Sequence, residues 1–180
     1  MKNNSMIIGP DTRSATVIDW LARMEGQGRS DLINACFEGK EIAWTNGCFD
    51  IIHAGHVDYL IDIKARHPDC FLLVGINDDE AVRHLKGPGR PIQAFAHRAS
   101  VVMALKPVDA VVAIGEDALD PLRAFMPDIY VKGGDYTLDT INQDERQLVE
   151  GYGGRVEIIA SRAPYLSTSK IVEFAKHGGK

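Results

Sequence analysis

Thr45–Leu60 reads TNGCFDIIHAGHVDYL, and its hydrophobic period changes partway along. Ile42–Thr45 has the pattern of a short strand that stops at Asn46-Gly47. Ala54, Val57, Leu60, Ile61 and Lys64 then recur at helical spacing, with Lys64 at the polar margin. His53 and His56 lie three apart across this junction, a spacing that aims both rings toward one point. Ala54 and Gly55 between them carry almost no side chain, so a bulky anion can approach the backbone. The amino end of the helix adds unpaired N–H groups and the positive end of its dipole. Taken alone, two histidines at this spacing also fit a pair of satisfied core residues or a metal pair. The metal reading is the weaker one, because no third His or Cys lies nearby in sequence.

Outward from this junction, strands and helices alternate. Cys70–Ile76 (CFLLVGI) is a continuous apolar run of strand length, as expected of a strand covered on both faces. Ala110–Ile114, Ile129–Lys132 and Val156–Ala160 have strand pattern as well. Between and after them, helical pattern covers Asp78–His84, Phe95–Leu105, Pro121–Met126, Asn142–Gly151 and Ser169–Lys176, and Leu85–Ala94 is a Gly/Pro loop. The alternation predicts a Rossmann-like, doubly wound α/β fold: a parallel sheet of about five strands with helices on both faces. Ligands of such sheets bind at the carboxyl ends of the strands beside a topological switch point. The loop 46–56 is therefore expected at the site.

Residues 1–40 read as a helical extension and 41–180 as the main domain. Val17, Trp20, Leu21 and Met24 follow a helical period behind Ser14, and a second short helix opens at Ser30-Asp31. Cys36, Cys48 and Cys70 are odd in number and contain no CxxC pair, which disfavours a disulfide framework or a cysteine zinc site and fits the cytoplasm. A net charge of −5 argues against a broad nucleic-acid surface, and no apolar run approaches membrane-spanning length. There is no GxxxxGK[ST] loop, no dinucleotide fingerprint and no GxSxG elbow.

Gly47-Cys48-Phe49-Asp50-Ile51-Ile52-His53-Ala54-Gly55-His56 resembles the GxFDxxHxGH signature of the cytidylyltransferase-like nucleotidyltransferases. The resemblance extends over Glu41 to Lys176 through further matches. Leu85-Lys86-Gly87-Pro88-Gly89-Arg90-Pro91 is similar to the loop that supplies cations to the phosphates, and Ala96-His97-Arg98 to a helix start whose arginine reaches the active site. Val131-Lys132-Gly133-Gly134-Asp135-Tyr136 is similar to the base-binding turn, and Ser167-Thr168-Ser169 to the final STT-type motif, where capping and phosphate binding are compatible.

The resemblance implies His53, His56, Lys86 and Arg98 as catalytic groups, with Lys86 and Arg90 on the substrate. It implies nucleotide contacts from Asn46, Gly47, Cys48, Phe49, Asp50, Gly55, Lys132, Gly133, Gly134, Asp135, Tyr136, Ser167, Thr168 and Ser169. No metal ligand is implied from the protein, and Mg²⁺ is expected to ride mainly on the nucleotide phosphates. Asp50 orients either the loop or a metal-bound water. His67, His84 and His177 are expected at the surface.

Within the family, VKGGDYT with LKGPGRP and NGCFDxxHAGHVxYL looks like the branch that transfers the adenylyl group of ATP to D-glycero-β-D-manno-heptose 1-phosphate. This implies ATP and a sugar 1-phosphate as partners, a dimer or larger homo-oligomer, and a separate kinase supplying the sugar phosphate. The alternatives are a cytidylyltransferase acting on glycerol phosphate or another polyol phosphate, and a non-catalytic nucleotide-binding domain. Two features depart from the pattern: a slightly long Ile61–Cys70 stretch, and Tyr165-Leu166 where Gly or Arg often precedes the STT motif.

Overall fold

The computed structural model describes residues 6–8, 18–19, 39–134, 136–160, 162 and 166–178. The domain is a twisted sheet whose central part is five parallel strands: β3 (Ile42–Gly47), β4 (Phe71–Asn77), β5 (Ala110–Ile114), β6 (Ile129–Gly134) and β7 (Arg155–Ala160). In space they run β5-β4-β3-β6-β7. The chain winds outward from β3 through β4 to β5, then crosses to β6 and β7 on the other side. The switch point predicted from sequence therefore lies at the carboxyl end of β3. Among the described residues six helices cover the sheet: α1 (Ala54–Arg66), α2 (Asp79–Lys86), α3 (Phe95–Met103), α4 (Leu119–Phe125), α5 (Gln143–Gly151) and α6 (Thr168–His177).

Two further short strands, β1 (Met6–Ile8) and β2 (Ile18–Asp19), extend the sheet beyond β5. β1 pairs antiparallel with both β5 and β2. This corrects the helix read through Val17–Met24 at Ile18–Asp19; the rest of that helix and the one after Ser30 lie outside the described residues. The physical reason is edge pairing: β1 takes the edge of β5, and Ile18–Asp19 pairs along the far edge of β1. An unpaired strand edge offers a ladder of N–H and C=O groups, and β-branched Ile18 suits such a ladder as well as it suits a helix.

The apolar run of β4 packs on both faces, as its sequence requires. Leu72, Val74 and Ile76 join Ala43, Leu60, Ile63, Ala99, Val102 and Val131 on one side. Leu73 faces the other side with Trp44, Ile114, Leu122, Phe125 and Tyr130, and the Trp44 and Phe125 rings stack with centroids 6.3 Å apart. Asp109 and Asp128 cap the strand starts by accepting the backbone N–H of Leu72 and Ile42 at 2.7 Å each. α4 starts two residues before the expected Pro121, because a first-turn residue needs no N–H partner within the helix. His67, expected at the surface, is part-buried: its side chain is 15% exposed and its Nε2 lies 3.0 Å from Glu157 on β7.

Candidate active site

The loop between β3 and α1 is shaped by an unusual backbone. Phe49 is buried yet has φ +47°, in the left-handed region that bulky residues avoid. Its ring lies 5.2 Å from that of His56, so the apolar side chain forms one wall beside the imidazole. His53 is the N-cap of α1 and makes no side-chain capping bond. Its carbonyl instead accepts the N–H of His56 at 2.9 Å, and no acidic residue occupies the first turn. Ala54 and Gly55 thus begin a helix whose positive end has no carboxylate of its own.

The two imidazoles lie face to face, with centroids 3.8 Å apart and an angle of 31° between planes. Each has a buried Nδ1 without a hydrogen-bond partner among the described residues. Buried polar atoms are normally paired. Burial, with the neighbouring His53 adding to it, pushes His56 down to about 4, and burial also lowers His53. Near neutral pH the pair is therefore uncharged and retains proton-accepting nitrogens. An incoming polyanion would stabilise a proton on either ring.

Asp50 answers the question that its sequence position left open. Its carboxylate is 1% exposed and accepts the N–H of Ile92 (2.8 Å) and Gln93 (3.0 Å) and the Nε–H of Arg90 (2.6 Å). The Gln93 side chain returns a bond to the Asp50 carbonyl at 2.7 Å. Burial alone would raise this carboxyl. The Gln93 and Ile92 N–H groups and the Arg90 guanidinium instead hold it below the ordinary carboxylate range. Asp50 orients the loop 87–93 and fixes Arg90 at its Nε. Burial raises the half-buried Cys48 thiol, and the charges of Lys86, Arg98 and Arg90 offset part of that rise; Lys86 itself is exposed at the end of α2.

Arg98 does not face the site as the resemblance implied. Its guanidinium is 0% exposed. It donates to the carbonyls of Cys48 (2.6 Å), Asn77 (2.8 Å) and Gln93 (2.9 Å), and it pairs with Asp79 at 2.8 Å. Asp79 also accepts the Phe95 N–H at the start of α3. Arg98 is a clamp beneath the loop, joining β4, α2, the loop 87–93 and the backbone at Cys48.

On the other side of β3, Lys132 bonds Asn46 Oδ1 at 2.8 Å and lies 3.4 Å from Glu145 on α5. Tyr130 bonds the same Glu145 and sits 3.2 Å from Asn46 Oδ1. Gly133 is required by packing: a Cβ there would lie 2.6 Å from the Tyr59 ring. The Tyr59 hydroxyl in turn contacts Thr45 Oγ1 at 2.8 Å and donates to the Val131 carbonyl at 2.9 Å, tying α1 to β6. Gly134 has φ +90° and turns into open space. Asp135 lies outside the described residues, and Tyr136 is exposed. Ser167 caps α6 by accepting from the Lys170 N–H, and Thr168 donates to the Ile51 carbonyl at 3.1 Å. Ser169 is exposed.

Asp79, Tyr59, Tyr130 and Glu145 were not singled out from sequence. Glu145 had a readable signal: it lies on the stripe Ile141, Glu145, Leu148, Val149, where a carboxylate interrupts an apolar helix face. Asp79 had none, because Asp78 beside it already accounts for the cap of α2.

The cytidylyltransferase-like family model matches residues 44–174, and the chain belongs to this family of nucleotidyltransferases. It is 48% identical over 137 residues to the bifunctional protein HldE of Alcanivorax borkumensis, covering 76% of this chain and 28% of that one. The HldE of Geobacter sulfurreducens is 44% identical, covering 76% of this chain and 27% of that protein. The chain thus spans little more than a quarter of the curated relatives it matches. Among solved structures, the lipopolysaccharide core biosynthesis protein of Thermoplasma volcanium aligns with a TM-score of 0.54 and 28% identity, covering 68% of this chain and 97% of that one.

Proposed function

We propose that this domain transfers the adenylyl group of ATP to D-glycero-β-D-manno-heptose 1-phosphate, giving ADP-heptose and pyrophosphate for surface glycan synthesis. The observation that carries the reading is the face-to-face pair His53 and His56, with unpartnered buried Nδ1 atoms, at a helix amino end without a first-turn acid. Such a site suits a triphosphate better than a neutral ligand. The choice of ATP and heptose phosphate is supported by the Val131–Tyr136 motif and by similarity to HldE proteins.

In this reaction a phosphate oxygen of the sugar 1-phosphate attacks the α-phosphorus of ATP, and the bond from that phosphorus to the bridging oxygen of the leaving pyrophosphate breaks. The nucleophile is already anionic, so no strong general base is needed. Catalysis rests on holding two repelling anions in line and on stabilising charge on the leaving group. His53, His56 and the start of α1 receive the β- and γ-phosphates. Lys86 brings positive charge to the reacting groups, while Arg98 and Asp50 act indirectly by fixing the backbone of both loops. Mg²⁺ held by the nucleotide phosphates would add charge neutralisation. Both Asp50 oxygens accept bonds from the loop 87–93, which fits a metal carried mainly by the nucleotide.

The test is pyrophosphate release by the purified protein with four nucleoside triphosphates crossed against sugar and polyol phosphates. Turnover with ATP and heptose 1-phosphate is expected. Turnover with CTP alone would move the activity to a cytidylyltransferase, and nucleotide binding without any turnover would make this a binding domain.

A further inference from the structure

The central strand is not held to its two neighbours in the same way. β3 and β4 stay in register from Ile42–Phe71 to Gly47–Ile76. Among the described residues β3 and β6 pair only at Ala43–Ile129 and Trp44–Tyr130, although both strands run on toward the site, to Gly47 and Gly134. The next residues in that register are Thr45 and Val131, and a side chain stands in for their ladder. The Tyr59 hydroxyl lies 2.8 Å from Thr45 Oγ1 and donates to the Val131 carbonyl at 2.9 Å. A phenol has one proton to give. With that proton on Val131, Thr45 is the donor to the Tyr59 oxygen, and the bridge has a fixed direction. Burial pushes the Tyr59 hydroxyl well above its ordinary value, so near neutral pH the proton stays in place.

The ring is held as firmly as the hydroxyl. It lies against the backbone of Gly133, where an added Cβ would come within 2.6 Å of it. Tyr59 also stands three residues after His56 on α1, a spacing that makes the two helix-surface neighbours. One side chain thus connects the helix that opens with the histidine loop to the strand end that turns at Gly134. Packing against the core asks only for an apolar ring. The hydroxyl adds a fixed distance between β3 and β6 where their ladder has stopped. A ligand held at one end of the crevice does not need that distance, whereas one that spans both ends does.

We infer that Tyr59 is a positioning residue that sets the width of the crevice between β3 and β6, and through it the alignment of the nucleotide for attack at its α-phosphorus; the inference rests on the adenylyl-transfer reading. The Tyr59 proton is spent on Val131, so the side chain acts on the reaction by holding α1 and the Val131–Gly134 segment at one separation.

The test compares wild type, Tyr59→Phe and Thr45→Val. kcat and KM for pyrophosphate release are measured with ATP and heptose 1-phosphate, and thermal melting checks folding. Inhibition constants are measured beside them for pyrophosphate and for adenosine, each of which fills one end of the nucleotide site. Tyr59→Phe keeps the ring and loses the bridge. Its kcat/KM for ATP is expected to fall about tenfold or more, the scale of a small misplacement of reacting groups. Each one-ended inhibitor is expected to stay within about twofold of its wild-type constant, because neither spans the crevice. Thr45→Val removes the donor behind Tyr59 and gives the same split at smaller size; it carries the comparison if Tyr59→Phe does not fold. A merely structural residue would weaken ATP and both inhibitors together, or would shift melting alone, and either result overturns the positioning role. A fall of less than about twofold in kcat/KM for ATP in Tyr59→Phe overturns it as well. A wild type that releases no pyrophosphate from any pair of nucleotide and acceptor overturns the adenylyl-transfer reading, and this inference with it.

Discussion

The two sides of β3 solve the problem of buried polar groups in opposite ways. On the α1 side, His53 and His56 keep buried nitrogens without partners, beside a left-handed Phe49. On the α5 side, Lys132, Asn46, Tyr130 and Glu145 satisfy one another. The unsatisfied side costs folding stability and is ready to gain by binding an anion. The satisfied side is stable as it stands. Between them, Arg98 and Asp50 hold the histidine loop from beneath, where a charge stabilises backbone and does not touch the ligand.

The most severe disturbance of this arrangement should come from Arg98→Met. It strands Asp79 and the carbonyls of Cys48, Asn77 and Gln93, and about 3–4 kcal/mol of folding stability should be lost, with Asp79's partial exposure moderating the penalty. Chemical denaturation measures this, and a loss below about 1 kcal/mol would remove the clamp. Next, His53→Ala or His56→Ala should cost about 2–4 kcal/mol of transition-state stabilisation with little loss of stability, because neither Nδ1 has a partner to strand. Near wild-type kcat/KM in either variant would end the catalytic role of the pair.

Acid should expose the same contrast. His56 is depressed from 6.5 to about 4 in the folded chain, so the unfolded chain takes up the proton first as pH falls. This group has no effect on stability above pH 6.5, and it destabilises the fold progressively between 6.5 and 4 by roughly 2–3 kcal/mol. Denaturation midpoints across that window should flatten in His56→Gln; an identical pH slope in the variant would contradict the assignment. The smallest effect is expected at Gly133→Ala, whose Cβ meets the Tyr59 ring at 2.6 Å. A cost of about 1–3 kcal/mol is the scale of overpacking, and Tyr59→Leu in the same chain should relieve part of it.

The features legible in the sequence were those written in local pattern. The β4 run was apolar throughout because both faces are covered, and the histidine loop fell at a change of period at the carboxyl end of the central strand. The features that were not legible depend on distant partners. Arg98 reads as an ordinary residue near a helix start until Cys48 and Asn77, 50 and 21 residues away, are brought to its guanidinium. Asp50 could serve a loop or a metal until Ile92 and Gln93 arrive 42 and 43 residues later. Ile18–Asp19 became strand because β1, itself paired with β5, offered an edge, which the local sequence cannot announce on its own.

The bond from Thr168 to the Ile51 carbonyl reaches across 117 positions of the chain. It gives synthesis on the ribosome a definite order. A nascent chain that has emerged through β7 holds all five parallel strands and both histidines, and its sheet can already form. The loop that aims those histidines gains its last tether only when α6 follows. The histidine loop is therefore tethered in full only after both the last strand of the sheet and the helix behind it have been made.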